Sequence, residues 1–135
     1  MQPADIVQKM MKHDAFSQWL GIKVEAISAG YCVLSMQVRA EMLNGFGIAH
    51  GGISYALADS ALAFASNAHG MHALSIDTSI QHIEPLKEGA VLHATAREQS
   101  LKNKFAVYTV EITSNEKLIA LFKGTVYRTQ KNWEP

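Results

Sequence analysis

Three chemical possibilities crowd the stretch from Asn44 to Asp59. Asp59 stands in an alanine-rich run, and its neighbours at helical spacing are Tyr55, Ala56, Leu62 and Ala63. A carboxylate on an otherwise apolar helix face is costly unless something pairs with it or uses it, which makes Asp59 a candidate functional group. A solvated subunit boundary or structural hydrogen bonds would account for it as well. His50-Gly51-Gly52 precedes the same run. Glycines leave backbone N–H groups open to close approach, and a helix start adds unpaired donors and a positive dipole end. An oxyanion hole or anion site could be built there, although a tight loop-to-helix turn needs the same glycines. Asn44 begins the loop, and an Asn-Gly pair is also a common self-capping turn.

Other residues offer less. His69 and His72 have near-ligand spacing, but no further Cys, His or Glu completes a zinc set, and both read as solvated helix-end histidines. His82 and His93 fall in strand-like segments and read as surface or groove residues. Cys32 has no base near it in sequence and reads as core filler. No glycine-rich phosphate loop and no G-x-S-x-G elbow is present.

The elements that must position these residues can be read from periodicity. Ile6, Val7, Met10 and Met11, continued by Phe16, Trp19 and Leu20, predict one helix over the first twenty residues, ended by Gly21. Strands are predicted over Ile22–Ile27 and Tyr31–Val38, the second with Cys32, Leu34, Met36 and Val38 on one side. Ile53–Ala68 is apolar around most of its circumference, so it reads as a buried helix. Ala73–Ile83, Val91–Gln99, Phe105–Thr113 and Leu118–Tyr127 read as strands. Two strands, one buried helix and four long strands imply an α+β class, with an antiparallel sheet wrapped around a central helix.

Composition narrows the partners. The chain has 135 residues, read as a single domain over 1–135, of which 48% are hydrophobic. Twelve basic and twelve acidic residues cancel, so the surface has no net field for nucleic acid or an anionic membrane. A neutral, rather apolar chain is expected to self-associate. A lone cysteine suits a reducing compartment, charges interrupt the N-terminal stretch that a signal peptide would need apolar, and no run approaches the ~18 apolar residues of a membrane span. The expectation is a soluble cytoplasmic protein.

The string Asn44-Gly45-Phe46-Gly47-Ile48-Ala49-His50-Gly51-Gly52, followed by Leu57-Ala58-Asp59 in an alanine-rich helix ending near Asn67, resembles the hotdog-fold acyl-CoA thioesterases. The likeness is strongest to their phenylacetate-degradation (PaaI-like) branch, and it extends to Ala120-Leu121-Phe122-Lys123-Gly124. The resemblance implies a hotdog fold and hydrolysis of an aryl-acetyl- or medium-chain acyl-CoA. It implies no metal or cofactor, with coenzyme A entering as part of the substrate. It assigns Asp59 as general base or nucleophile, and Asn44 as the residue that positions water or substrate. Gly51 becomes the N–H that polarises the thioester carbonyl, with His50 as a supporting donor or loop anchor; Ser75 is a looser match to a water-assisting position. It also implies homodimers that pair into homotetramers, with the loop of one subunit facing the Asp of the other. Two rival readings are a hotdog enoyl-CoA hydratase or dehydratase and a non-catalytic acyl-CoA-binding protein. One departure stands out: His82 and Glu84 precede Pro85 where many relatives carry an aromatic and a basic residue. Coenzyme A phosphates would then fall to other cations, with Lys102, Lys104 and Arg128 as candidates.

Overall fold

The computed structural model describes residues 1–135. Two short helices, α1 (Pro3–His13) and α2 (Ala15–Leu20), lead into β1 (Lys23–Ser28) and β2 (Tyr31–Gln37). A single 3-10 turn, Ala40–Met42, and the glycine-punctuated loop then deliver the chain to α3 (Gly51–Asn67). The remainder is strand: β3 (Met71–His82), β4 (Val91–Lys102), β5 (Phe105–Ser114) and β6 (Lys117–Asn132). All six strands form one sheet in the order β1-β2-β4-β5-β6-β3, and every pairing is antiparallel. The α+β class is therefore as expected, with the sheet curled about α3. No helix is long and apolar enough to cross a membrane.

Burial explains the wrap. Cys32, Leu34, Met36 and Val38 are buried as their alternation requires, and so are Ala106, Tyr108, Val110 and Ile112 of β5. They meet Leu57, Ala58, Ala61, Leu62 and Ala65 of α3 in one apolar core. Alanines let the sheet approach the helix closely, and β6 yields further at Gly124. A Cβ there would stand 2.7 Å from Leu62 Cδ2 and 3.1 Å from Phe122 Cε1.

The N-terminal expectation needs correction. The first twenty residues form two helices because Asp14 caps a new one, its Oδ1 accepting the Ser17 N–H at 2.9 Å. The break shifts the helical phase, so of the predicted continuation Leu20 reaches the core while Phe16 and Trp19 do not. Ile6 and Val7 are buried, whereas Phe16 is 56% exposed and stacks on Trp19. The Asp14-x-x-Ser17 spacing was a readable capping signal. Smaller corrections lengthen elements. The central helix starts at Gly51 rather than Ile53, β4 reaches Lys102, and β6 runs to Asn132 because it pairs with the first residues of β3, Met71 opposite Asn132.

β3 lies at one edge of the sheet. It is twelve residues long, and Leu74 (64% exposed) and Ile76 (58%) are uncovered along it. A long, apolar, unpaired edge is a ready template for another strand.

Candidate active site

The single open stripe of α3 decides where chemistry can occur. Gly52, Tyr55, Ala56, Asp59, Ser60 and Ala63 recur at helical spacing and are exposed or half-buried, while the rest of the helix is largely sealed. Asp59 is thus not in the core, as a stripe of apolar neighbours would suggest. It lines a depression of about 400 Å³ with Ser75, His72, Leu74 and Val126. No hydrogen bond or ion pair within the chain reaches its carboxylate, which removes the structural hydrogen-bond reading.

Burial pushes the Asp59 carboxyl above the usual carboxylate range, and the nearby Asp14 pushes it further the same way. Asp14 is held in place by Ser17. The Ser17 hydroxyl donates to Asp14 Oδ2 at 2.7 Å and also meets the Ser60 hydroxyl at 2.8 Å. A polar chain therefore connects the α1–α2 junction to the residue next to Asp59.

The loop residues gather elsewhere. Asn44 and Gly51 line a second depression of about 280 Å³, together with His82, Glu84 and Pro85. His50 caps α3, its Nδ1 accepting the Gly52 N–H at 2.9 Å, so its role inside the chain is that of a loop anchor. The N–H of Gly51 meets no acceptor in the chain. Asn44 shapes the loop: its Oδ1 accepts from Phe46 N–H (2.9 Å) and Ile48 N–H (3.4 Å). With Oδ1 occupied, its free group is the Nδ2 amide, a donor. The second depression thus presents two donors, while the first presents an acidic group and a hydroxyl.

Gly51 and Asp59 are eight residues apart on one helix, roughly 12 Å along its axis. A carbonyl is ~1.2 Å long, its donor lies ~3 Å from the oxygen, and a base that acts through one water adds two contacts of ~3 Å on the other side, so a donor and a base serving one thioester must lie within roughly 10 Å. The residues named from sequence therefore fall into two groups, Asp59 with Ser75 and Asn44 with Gly51. One chain does not bring them together.

Two residues acquire roles that sequence reading did not supply. The His82 ring covers Gly51 so closely that a Cβ there would lie 3.0 Å from its Nε2. Asn67 is buried and fully bonded. Its Nδ2 donates to the Ala63 and Ala73 carbonyls, and its Oδ1 accepts from Ala73 N–H and Trp133 Nε1–H, all within 2.8–3.0 Å. It bolts the end of α3 to the start of β3, which carries Ser75, and to the C-terminal segment. The histidines nearby are not simply solvated: His69 Nε2 lies 2.8 Å from Glu98 Oε1, and His72 stacks on Trp133 at 4.0 Å between ring centres. Cys32 is buried, and that burial pushes its thiol up to about 12, so it is no nucleophile. No three His, Cys, Asp or Glu side chains converge on a point where they could share a metal ion.

Comparison with known proteins agrees with this architecture. Residues 46–120 match the thioesterase superfamily. The acyl-coenzyme A thioesterase PaaI of Escherichia coli is 37% identical over 120 residues, covering 88% of this chain and 86% of that protein. The structure of the E. coli PaaI protein from the phenylacetic acid degradation operon superposes with a TM-score of 0.94 at 34% identity, covering 96% of this chain and 95% of that one. A mutant of the phenylacetic acid degradation protein PaaI from Thermus thermophilus is 45% identical with a TM-score of 0.84, covering 86% of this chain and all of that one.

Proposed function

The chain belongs to the thioesterase superfamily, and from that premise we propose that it hydrolyses the thioester of an aryl-acetyl- or medium-chain acyl-CoA in a site shared by two copies. The observation that carries this reading is the unpaired Asp59 carboxyl open to a depression, with the free Gly51 N–H two turns away on the same helix. Joining two copies along their β3 edges would cover Leu74 and Ile76, and would supply each Asp59 with the partner's donors. The thioester carbonyl would accept from Gly51 N–H and Asn44 Nδ2, the two donors that the loop leaves free.

Asp59 then takes a proton from a water that Ser75 helps to hold, and the hydroxide adds to the carbonyl carbon. Charge moves onto the oxygen facing the two donors. When the tetrahedral intermediate collapses, the C–S bond breaks, and the proton on Asp59 returns to the departing sulfur. Water is the only co-reactant, and coenzyme A enters as part of the substrate. A raised pKa suits this work, because a base that holds its proton more tightly removes one from water more readily.

The acyl-CoA choice follows the activity of the E. coli relative. A homodimer or homotetramer in the cytoplasm completes the proposal, the lone buried Cys32 being compatible with a reducing compartment. The test is release of free thiol across aromatic and straight-chain acyl-CoAs at equal concentration. Turnover of aryl-acetyl or medium-chain members is expected. Absence of thiol release across the whole panel would overturn the proposal.

A further inference from the structure

The Asp59 depression is longer than attack on a carbonyl requires. From Asp59 it follows α3 past Leu62, Ala63 and Ser66 to Asn67, eight residues on and roughly 12 Å along the helix axis. Met10 of α1, Leu74 of β3 and Val126 of β6 add apolar surface. No lysine or arginine lines it, and Asp59 and His72 are its only titratable side chains. Partial burial pushes the His72 imidazole down, and Lys131 and Lys9 act the same way, so that ring is neutral at pH 7. A substrate arm that carries phosphates finds no cationic partner here, whereas a hydrocarbon arm sheds water against an apolar lining.

One residue stands at the far end. Trp133 lines the depression, and its backbone N–H donates to the Gly70 carbonyl at 2.9 Å. Its indole Nε1–H donates to Oδ1 of buried Asn67, also at 2.9 Å. The ring stacks on His72 with 4.0 Å between centres and 18° between planes. Lys9 Nζ donates to the carbonyl of Glu134, the next residue, which ties the same segment to α1. Anchored to α3, β3 and α1, the indole is a fixed wall. Bonds of ~1.5 Å at tetrahedral angles advance an extended chain by roughly 1.3 Å per carbon, so roughly eight carbons reach from Asp59 to that wall. A phenylacetyl group is shorter than this.

Resting on the thioesterase reading, we propose that the Asp59 depression receives the acyl group and that Trp133 ends it, setting the longest acyl chain the site accepts. Trp133 is then a specificity-determining residue, supplied by the C-terminal segment beyond the last strand.

The test measures kcat/KM for straight-chain thioesters from butanoyl- to hexadecanoyl-CoA. In wild type it should rise about 4-fold per added methylene as far as octanoyl-CoA, then fall. In Trp133→Ala the ratio of hexadecanoyl- to octanoyl-CoA should rise roughly 10- to 100-fold. Trp133→Phe keeps a ring against His72 but loses the indole N–H, and should hold the wild-type ratio. A ratio unchanged by Trp133→Ala would overturn the assignment. So would a ratio raised as far by Trp133→Phe, since the bond to Asn67 and not the wall would then set the limit.

A second measurement needs no turnover. The chain has two tryptophans, so Trp19→Phe combined with Asp59→Asn leaves Trp133 as the sole indole in a chain without the base. Octanoyl-CoA should shift its fluorescence emission, and coenzyme A without an acyl group should not. No shift, or the same shift with both, would also overturn the assignment. If wild type cleaves no thioester yet the emission responds to octanoyl-CoA alone, the acyl chamber stands and the hydrolase reading falls.

Discussion

Mixing two inactive variants tests the shared site most directly. The Asn44→Ala chain keeps Asp59 but loses a donor, and the Asp59→Asn chain keeps both donors but loses the base. As homodimers, each should be inactive. The helix itself sets the stakes, because roughly 12 Å separates Gly51 from Asp59 along one chain, beyond the roughly 10 Å that a thioester carbonyl and one attacking water bridge. If the loop of one subunit faces the Asp59 of the other, a mixed dimer has one site with both lesions and one with neither. Random re-association at equal concentrations makes half of the dimers mixed, so about a quarter of wild-type activity should return. The assay is thiol release after unfolding the two variants together and co-refolding them, with mixed dimers confirmed by native mass spectrometry. A site contained within one subunit recovers nothing, since every site keeps one lesion. Activity no greater than that of either variant alone, with mixed dimers present, would refute the two-chain site and leave the family assignment untouched.

Three further outcomes follow from the same geometry. Asp59→Asn should lower kcat by roughly 10² to 10⁴. Because burial and Asp14 raise its folded pKa, ionised Asp59 disfavours the fold above its unfolded pKa; the variant should therefore unfold later than wild type at pH 7, and the advantage should vanish near pH 3 in thermal melts. Gly51→Ala should fold normally, since exposed His82 can swing away, but the displaced ring then crowds the depression into which the Gly51 N–H opens. A loss in kcat/KM of about 10²-fold is expected, and unaltered kinetics would remove Gly51 from the site. Asn67→Ala strands buried partners on α3, β3 and Trp133, so urea denaturation should show a loss of about 2–5 kcal/mol, whereas a change below 1 kcal/mol would mean that solvent replaces the bolt.

Much of this was legible in local pattern. Strand alternation in β2 and β5, and the all-round apolarity of α3, predicted the α+β class because burial on a regular element imposes its own period. The loop from Asn44 to Gly52 and the isolated Asp59 stood out as candidates, because glycines at a helix start and a carboxylate among alanines each need a reason, but a tight turn and a solvated boundary are reasons too, and the roles proposed for them come from the family resemblance. The N-terminal helix was misread where a cap competed with a stripe: Asp14 satisfies the Ser17 N–H, and that local bond outweighed the apolar continuation through Phe16 and Trp19.

What sequence alone determined, then, was the elements and the residue types worth suspecting. Tertiary structure decided which of them share a space. Spacing along α3 placed Gly51 and Asp59 near each other in number, yet helix rise separates them into two depressions. His82 reached Gly51, and Lys102 reached Arg128, only because strands distant in sequence are neighbours in the sheet or end beside the same loop. Such proximities depend on register, wrap and edge, which are set by the packing of the whole core and leave no periodic trace in any one segment.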